Sequence, residues 1–423
     1  MFKKNFTNNS ILILTSLIPL SIIVGASVSA INIFLISLLF LFFFINKKFF
    51  FILKDNTVLC FLIIYFYLFF NSFISIDAEV GIYRNIGFIR FLLLFLAINF
   101  FFSNYKNPNL IFKSWMFVIL TVVFDSFIEI IFGKNILGYG IGYGNINGNR
   151  IVSFFKDESI VASFINGFVF ILIGFLFNNY EKKIFKEKFL IYLIVLLFLF
   201  CVVFTGERSN TIKFIFGLFI FFSLNHHIKF KFKLLTIFFT ILLLSITYMK
   251  SDWVKYRYGS TLFSQFTTEE KRAHYMKHNV YFYIYKSGFE VFKNHPYFGV
   301  GNKNYRVETC KASNFIEKPI YFCVTHPHQI YIELLSEHGL FGSILLLSIL
   351  FILMFKNLKL IILSKNLIQI GSLIYLMVNF VPLIPGGAFF NDYNQTLFWL
   401  NLSIFYASNP KTNIFNKFNK HID

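Results

Sequence analysis

Apolar residues occur in long blocks along this chain, and short polar segments rich in lysine separate the blocks. A membrane-spanning helix needs about 20 apolar residues to cross about 30 Å of hydrocarbon. The pattern therefore predicts an all-α polytopic membrane protein with about 12 transmembrane helices. The predicted spans lie near residues 10–28, 30–46, 57–75, 87–103, 110–132, 159–178, 189–205, 211–225, 234–249, 340–356, 367–384 and 393–407.

Lysine residues are concentrated in alternate polar segments, as the positive-inside rule requires of correctly divided helices. Both ends of the chain belong to the lysine-rich set, so we expect both termini to be cytoplasmic. The first span has no small-residue cleavage site of the usual kind, and we expect it to remain as an anchor. The segments predicted to face outward are 76–86, 133–158, 206–210, 250–339 and 385–392.

Composition agrees with this class, because 57% hydrophobic and 14% charged residues exceed what one soluble core absorbs. The net charge of +19 comes mainly from the segments predicted to be cytoplasmic. There the cations orient the helices and meet anionic membrane lipids, so the charge does not predict a nucleic-acid partner. No internal repeat is evident, and residues 1–423 are expected to form a single integral membrane domain.

The only sizeable extramembrane part predicted is a large periplasmic loop at 250–339. Residues 281–292 have apolar positions at helical spacing and are followed by Asn294-His295-Pro296, so they predict a helix on the membrane surface. Six of the nine histidines lie in this loop, and they are His274, His278, His295, His326, His328 and His338.

The four cysteines fall into two pairs. Cys60 and Cys201 lie within predicted spans, where a free thiol behaves as a small apolar residue. Cys310 and Cys323 lie in the outward loop, where an oxidising compartment favours a disulfide, although two free thiols are the alternative. No spacing typical of a zinc site is present, so no metal is expected.

Two histidines flank Pro327 where the polar loop returns to the membrane. An imidazole takes or gives a proton near neutral pH, so His326 and His328 are candidates for a general base or an anion-binding group.

Several short motifs occur along the chain. The first are Asn294-His295-Pro296-x-x-Gly299-Val300-Gly301, His328-Gln329-x-Tyr331 and Glu337-x-Gly339-x-x-Gly342. The others are Thr205-Gly206-Glu207-Arg208 and Arg150-x-x-x-Phe154-Phe155-x-Asp157-Glu158. Together these motifs resemble the O-antigen ligase and O-antigen polymerase superfamily of bacterial envelopes. In that family the last two correspond to a TG-x-R turn and to a stretch seen in many polymerase-like members.

The resemblance implies a multi-pass glycosyltransferase of the bacterial inner membrane with a periplasmic active site. Such an enzyme takes a glycan from an undecaprenyl-pyrophosphate-linked donor by inverting transfer, without a metal or other cofactor. The acceptor stays open: a growing glycan in a polymerase, lipid A-core in a ligase, or a protein hydroxyl in an oligosaccharyltransferase. The stretch from Arg150 to Glu158 slightly favours the polymerase.

The resemblance also assigns candidate residues. Arg208 and His328 are the catalytic candidates, since a guanidinium can hold pyrophosphate oxygens and an imidazole can activate the acceptor hydroxyl. The alternatives are an arginine at lipid headgroups and a helix-capping histidine. The candidates for substrate binding are Arg90, Arg150, His326, His278, Arg272 and Arg306. Structural roles are expected for Glu337, Gly339, Gly342, Cys310 and Cys323, and Glu337 is expected to pair with an arginine or cap a helix N-terminus.

This sequence departs from the family pattern at one important point. A second essential arginine is usual in the large loop, and the corresponding position falls near residues 278–281, where no arginine is present. Arg272, Arg306 or a protonated His278 is expected to take its place.

Two acidic residues in the fifth predicted span supply the rival hypothesis. Asp125 and Glu129 are four residues apart and share one helical face. Buried carboxyls in a membrane are costly, so they are expected to face a cavity, to partner Arg90 or Arg150, or to stay protonated. A proton-coupled transporter uses such a pair directly.

Overall fold

The computed structural model describes residues 2–47, 49–105, 108–140, 150–156, 158–178, 180–260, 267–311 and 320–419. Within these residues the regular elements are helices, together with one isolated β-bridge between Lys134 and Gly140. The all-α fold class is therefore confirmed. Asp157 of the polymerase-like stretch lies outside the described residues.

The helices of the first half are α1 (Phe2–Ser16), α2 (Ile18–Val24), α3 (Ala26–Lys47), α4 (Asn56–Phe73), α5 (Ala78–Gly87), α6 (Ile89–Asn104), α7 (Asn109–Phe132), α8 (Val161–Leu176), α9 (Phe185–Phe204) and α10 (Arg208–Leu224). Those of the second half are α11 (Phe230–Lys250), α12 (Asp252–Val254), α13 (Glu269–His278), α14 (Val280–Asn294), α15 (Tyr305–Thr309), α16 (Ile330–Phe355), α17 (Leu358–Ser364), α18 (Leu367–Val378), α19 (Asp392–Ala407) and α20 (Ile414–Asn419).

By length and composition, six helical segments among the described residues can cross a membrane. They are Ala26–Ile45, Asn56–Phe73, Ala78–Asn104, Asn109–Phe132, Phe185–Phe204 and Ile330–Ser364. A seventh candidate is the pair Ile237–Lys250 and Asp252–Gly259, which is bent by 97°. Helices also cover the remaining predicted spans, but they are short or interrupted. The count of about twelve spans is therefore not confirmed.

The hydrophobic core runs through the helix bundle and includes a close crossing of α8 and α18. A Cβ atom added to Gly174 would meet the backbone of Leu367, and one added to Gly371 would meet the backbone of Phe170. Small residues at such a crossing let two backbones approach closely, which strengthens packing between apolar helices. The crossing fixes α8, whose first turn forms part of the candidate site.

Helix α16 begins ten residues before the predicted span and bends at Gly339. Gly339 has a φ of 63°, outside the helical range, and a Cβ there would meet the backbone of Tyr297 and Phe298. The predicted span began near residue 340, because the stretch before it contains Glu333, Glu337 and His338. These three side chains are buried in the structure.

The segment 294–302 packs against the bend of α16 and satisfies its free backbone groups. The N–H of Val300 donates to Ser336 O at 3.0 Å, and the N–H of Gly301 donates to Glu337 O at 2.9 Å. In the opposite direction, the N–H of Leu340 donates to Pro296 O at 2.7 Å. A bend leaves helical N–H and C=O groups unpaired, and buried groups of that kind need partners. The two sequence motifs are therefore two halves of one structural unit.

Asparagines then attach this unit to the start of the chain. The N–H of Asn302 donates to Asn71 Oδ1 at 2.7 Å, and its side-chain amide donates to Asn85 Oδ1. Asn304 and Asp77 exchange two hydrogen bonds, at 2.8 and 3.0 Å. These contacts hold the segment 302–304 over α4 and α5.

Candidate active site

A cavity of about 820 Å³ brings together arginine and histidine side chains from five separate parts of the chain. The turn between α9 and α10, the junction of α13 and α14, and residues 383–394 contribute to its wall. The five cationic or imidazole residues that line it are Arg150, Arg208, Arg257, His278 and His328. Arg208 and His328, the two catalytic candidates, therefore share one cavity.

Glu207 sets the position of the TG-x-R turn. Its buried carboxylate accepts from the N–H of Ala162 at 2.6 Å and of Ser163 at 3.3 Å, at the start of α8. A carboxylate is favourable at a helix N-terminus. Burial is the main influence on this carboxyl and raises the pKa of Glu207 to about 7. Arg208 is the next residue and the first of α10. The contact between Glu207 and α8 therefore also fixes the backbone position of Arg208.

Arg257 is a site residue that the sequence analysis missed. It lies in a π-helical turn, Lys255–Ser260, and its Nε donates to Gly206 O at 2.9 Å. The hydroxyl of neighbouring Tyr258 donates to Val203 O at 2.8 Å. This turn therefore packs directly on the TG-x-R turn. The available signal was an arginine just after an apolar helix, near the predicted outer face.

His328 lies immediately before α16 in a left-handed backbone conformation, with a φ of 56°. Its carbonyl oxygen accepts from the N–H of Gly386 at 2.8 Å. The next residue, Gln329, caps the helix by accepting from the N–H of Ile332 at 2.9 Å. Burial lowers the pKa of His328 below the usual 6.5. The imidazole is therefore neutral near pH 7 and available to accept a proton.

His326 lies beside His328, with 3.9 Å between the two ring centroids. Its Nδ1 is 2.9 Å from Thr325 Oγ1, and its Nε2 is buried without a hydrogen-bond partner among the described residues. Burial, followed by the effects of His328 and Lys303, lowers the pKa of His326 to about 3. A cationic role for His326 toward phosphate is therefore disfavoured at neutral pH.

Asp125 and Glu129 fix the segment that carries Arg150. Glu129 accepts from the N–H groups of Val152 and Ser153, at 3.1 and 2.7 Å, and Asp125 accepts from Ser153 Oγ at 2.5 Å. Of the three alternatives expected for these carboxyls, the partnership with Arg90 or Arg150 is therefore wrong. Backbone amides of the segment after α7 supply the hydrogen bonds instead.

Three arginines of the sequence-based set lie away from the lining of the main cavity. Arg90 forms an ion pair with Asp392 at 2.5 Å. Arg272 lies on α13 and forms a partly exposed pair with Glu269 at 3.5 Å. Arg306 is exposed on α15. The structure groups Arg150 and His278 with the catalytic candidates and places these three arginines elsewhere.

The expected structural residues are accounted for by local contacts. Cys310 and Cys323 form a disulfide bond. Glu337 accepts from the N–H of Lys303 at 2.9 Å, just before α15 begins at Tyr305, so it lies at the N-terminus of that short helix. A Cβ on Gly342 would meet the ring and hydroxyl of Tyr67.

Within the described part of the chain, no group of three or more His, Cys, Asp or Glu residues is arranged to hold a metal.

The apolar helices and the cationic cavity together indicate a multi-pass membrane protein with a site suited to anionic substrates. Residues 192–347 match the family model described as O-antigen ligase. This match confirms the resemblance to the O-antigen ligase and O-antigen polymerase superfamily, and it spans the TG-x-R turn, Arg257, His328 and Gly342. A comparison with curated proteins finds no match.

Proposed function

We propose that this protein transfers or polymerises a glycan carried on undecaprenyl pyrophosphate, at the periplasmic face of the bacterial inner membrane. The observation that carries the proposal is the shared cavity, in which Arg208, Arg150 and Arg257 lie around the same space as His328. Guanidinium groups suit a pyrophosphate leaving group, and a neutral imidazole suits an acceptor hydroxyl.

The proposed step is a single inverting displacement. The acceptor hydroxyl oxygen attacks the anomeric carbon of the donor glycan while the bond from that carbon to the phosphate oxygen breaks. The electron pair of the broken bond passes to the pyrophosphate, and the hydroxyl proton passes to the His328 imidazole. Arg208 stabilises the charge that develops on the leaving group.

Arg257 is the residue we assign to the position of the missing second arginine. Its Nε donates to the backbone of the same turn that carries Arg208, so the two guanidinium groups belong to one rigid unit. Its side chain lines the main cavity, whereas Arg272 and Arg306 do not. We expect Arg257 to share the pyrophosphate with Arg208.

The site supports the three glycan-transferring functions alike and the transporter less well. A polymerase and a ligase use the same chemistry on different acceptors, and a protein O-oligosaccharyltransferase remains a third possibility within the superfamily. The proton-coupled transporter is less favoured, because Asp125 and Glu129 accept hydrogen bonds from backbone amides and Ser153.

The test is the envelope glycan profile of the native host on a gel after deletion of this protein. Complementation uses the wild type, His328→Ala, Arg208→Ala and Arg257→Ala, each checked for normal insertion. Lys293→Ala is the matched control, because Lys293 is an exposed cation of the same loop that pairs with Glu290.

A polymerase leaves single repeats on lipid A-core after deletion, and a ligase leaves core without glycan. We expect the three site variants to reproduce the deletion profile and Lys293→Ala to restore the wild-type profile. An unchanged profile on deletion contradicts both envelope roles and directs attention to protein glycosylation. Full activity of His328→Ala and Arg208→Ala contradicts the proposed mechanism.

A further inference from the structure

A small chamber adjoins the main cavity and contains a cation that the proposed mechanism does not use. The chamber has a volume of about 70 Å³ and is lined by α8, α10, α18 and residues 384–389. Asn210, Gly386 and Asn394 line both spaces, so the chamber and the cavity share a wall. Its cation is Lys213, which lies five residues after Arg208 on α10.

Lys213 is only 8% exposed. An ammonium group removed from water is costly unless an anion or several polar groups compensate it. None of the described residues that line the chamber is Asp or Glu. Glu207 does not line the chamber, and its carboxylate is bonded to the start of α8. The chamber therefore has a positive charge and no acidic side chain to balance it.

A buried side-chain amide in the chamber has one atom without a hydrogen-bond partner among the described residues. Asn166 is 3% exposed, and its Nδ2 donates to Asn210 O at 2.9 Å. Its Oδ1 atom is buried without a hydrogen-bond partner among the described residues. Buried polar atoms of native proteins are normally bonded, so an orphan beside a cavity indicates a ligand or ordered water. A ligand hydroxyl could donate to this oxygen.

We infer that the chamber is a subsite for a carboxylate on the transferred glycan, with Lys213 as the binding cation and Asn166 accepting from a neighbouring sugar hydroxyl. The inference rests on the proposed function, and it names the substrate class as an acidic sugar. One water needs roughly 10–15 Å³ of such volume, so the chamber holds a group of a few heavy atoms. The sugar ring itself occupies the main cavity.

The donor's own phosphates are the other source of an anion. Each phosphate of the donor is linked on both sides, to the sugar or the prenyl chain and to the other phosphate. The small chamber fits a terminal substituent better than a linking group. The main cavity already offers Arg150, Arg208 and Arg257 to the pyrophosphate. The sugar carboxylate is therefore the occupant to which we commit.

The test uses purified protein in vesicles and two synthetic undecaprenyl-pyrophosphate disaccharide donors. The donors differ only at C6 of the terminal sugar, which is a carboxylate in one and a hydroxymethyl group in the other. The variants are Lys213→Met, which removes the charge, and Lys213→Arg, which keeps it. Transfer is measured for both donors, together with retention of undecaprenyl pyrophosphate by the protein.

We expect Lys213→Met to lower transfer of the acidic donor by roughly ten- to a hundredfold, the range for a buried charge-assisted hydrogen bond. Transfer of the neutral donor should change by less than about twofold, and Lys213→Arg should recover part of the acidic-donor activity. An equal loss for both donors, with weaker retention of undecaprenyl pyrophosphate, overturns the carboxylate subsite in favour of a phosphate contact. No loss for either donor also overturns it.

Asn166→Asp provides a second route if Lys213→Met fails to insert. The new carboxylate would pair with Lys213 and repel a substrate carboxylate, so only the acidic donor should be affected. Sugar analysis of the host glycan is an independent check, and a glycan without acidic sugars overturns the inference. If the wild type transfers neither donor, the proposed function fails. If it transfers both and the variants do not discriminate, only this inference fails.

Discussion

His328 combines a fixed backbone with a titratable side chain. Its left-handed conformation is held by the hydrogen bond from Gly386 and by the start of α16 at the next residue but one. A residue with a β-carbon is disfavoured at positive φ, so His328 keeps this conformation only because the neighbouring contacts hold it there. The imidazole is thereby aimed at the cavity that contains Arg208.

For His328, we predict an acid limb in the pH dependence of transfer. A general base must be neutral, and burial lowers the pKa of this residue, so kcat/KM should fall only below pH 6.5. His328→Ala should lower transfer by about 10²- to 10⁴-fold, and the residual rate should lack this limb. Rates measured in vesicles from pH 5 to 8 check both points. A limb above pH 7 would contradict the base role.

For Glu207, we predict a pH-dependent contribution to stability. Its folded pKa of about 7 is above the usual value of 4.5 for a glutamate, so between these values the folded carboxyl keeps a proton that the unfolded one has lost. Its contribution to stability therefore falls as the pH rises from about 4.5 to 7. Since Gln cannot ionise, the Tm of Glu207→Gln should rise relative to wild type over this window.

Thermal unfolding in detergent at pH 5 and pH 8 measures the effect. Glu269→Gln, at an exposed position on α13, is the control for loss of a carboxyl outside the cavity. A constant difference for Glu207→Gln would show that its carboxyl ionises alike in the folded and unfolded states.

Among the elements, the bend of α16 requires glycine at one position. Gly339 needs a positive φ, and its missing side chain leaves room for the backbone of residues 297–298. Gly133, after α7, also has a positive φ of 75°, but no atom lies within 4 Å of a Cβ added there. Substitutions at Gly133 and Gly339 therefore separate two costs, that of backbone strain alone and that of displacing another segment.

We predict that Gly133→Ala lowers stability by about 1 kcal/mol, the cost of the left-handed conformation alone. Gly339→Ala should cost clearly more, because residues 294–302 must move away from the bend and lose the bonds at Val300, Gly301 and Leu340. Tm values and the yield of monodisperse protein in detergent compare the two variants. Equal Tm values would contradict the packing described.

The acidic pair of α7 allows a test between the enzyme and transporter hypotheses. Glu129→Ala leaves the N–H groups of Val152 and Ser153 without their acceptor and should displace Arg150, so transfer should fall while insertion persists. Glu129→Gln keeps an acceptor oxygen and should retain most of the activity. A proton carrier needs an ionisable group, so retained activity of Glu129→Gln counts against the transporter. A Gln variant as inactive as the Ala variant would contradict the hydrogen-bonding role of Glu129.

At the scale of the whole molecule, the distribution of lysine predicts which side of the membrane each segment occupies. We expect a reporter fused after residue 419 to be cytoplasmic and one inserted at Asn279, between α13 and α14, to be periplasmic. Alkaline phosphatase, which is active only outside, and a fluorescent protein that matures inside measure the two positions. The reverse pattern would place His328 and Arg208 in the cytoplasm and contradict the proposed donor chemistry.

The motif resemblance singled out Arg208 and His328, and the structure places both on the wall of one cavity. Hydropathy predicted the fold class and the approximate places of most helices, because these features depend on local runs of residues. It missed the first ten residues of α16, since Glu333, Glu337 and His338 make that stretch polar although they are buried. It also missed Arg257, whose importance comes from a hydrogen bond to Gly206, 51 residues earlier.

The packing of residues 294–302 on the bend at Gly339 has a consequence for engineering. Related proteins are natural sources of parts for chimeras, and the loop at 250–339 is an obvious part to exchange. A boundary placed between the two motifs would join halves that were selected in different backgrounds. A transplant should carry residues 294–342 as one cassette, and Asn71 and Asn85 of the recipient should be kept, because they hold that cassette in register.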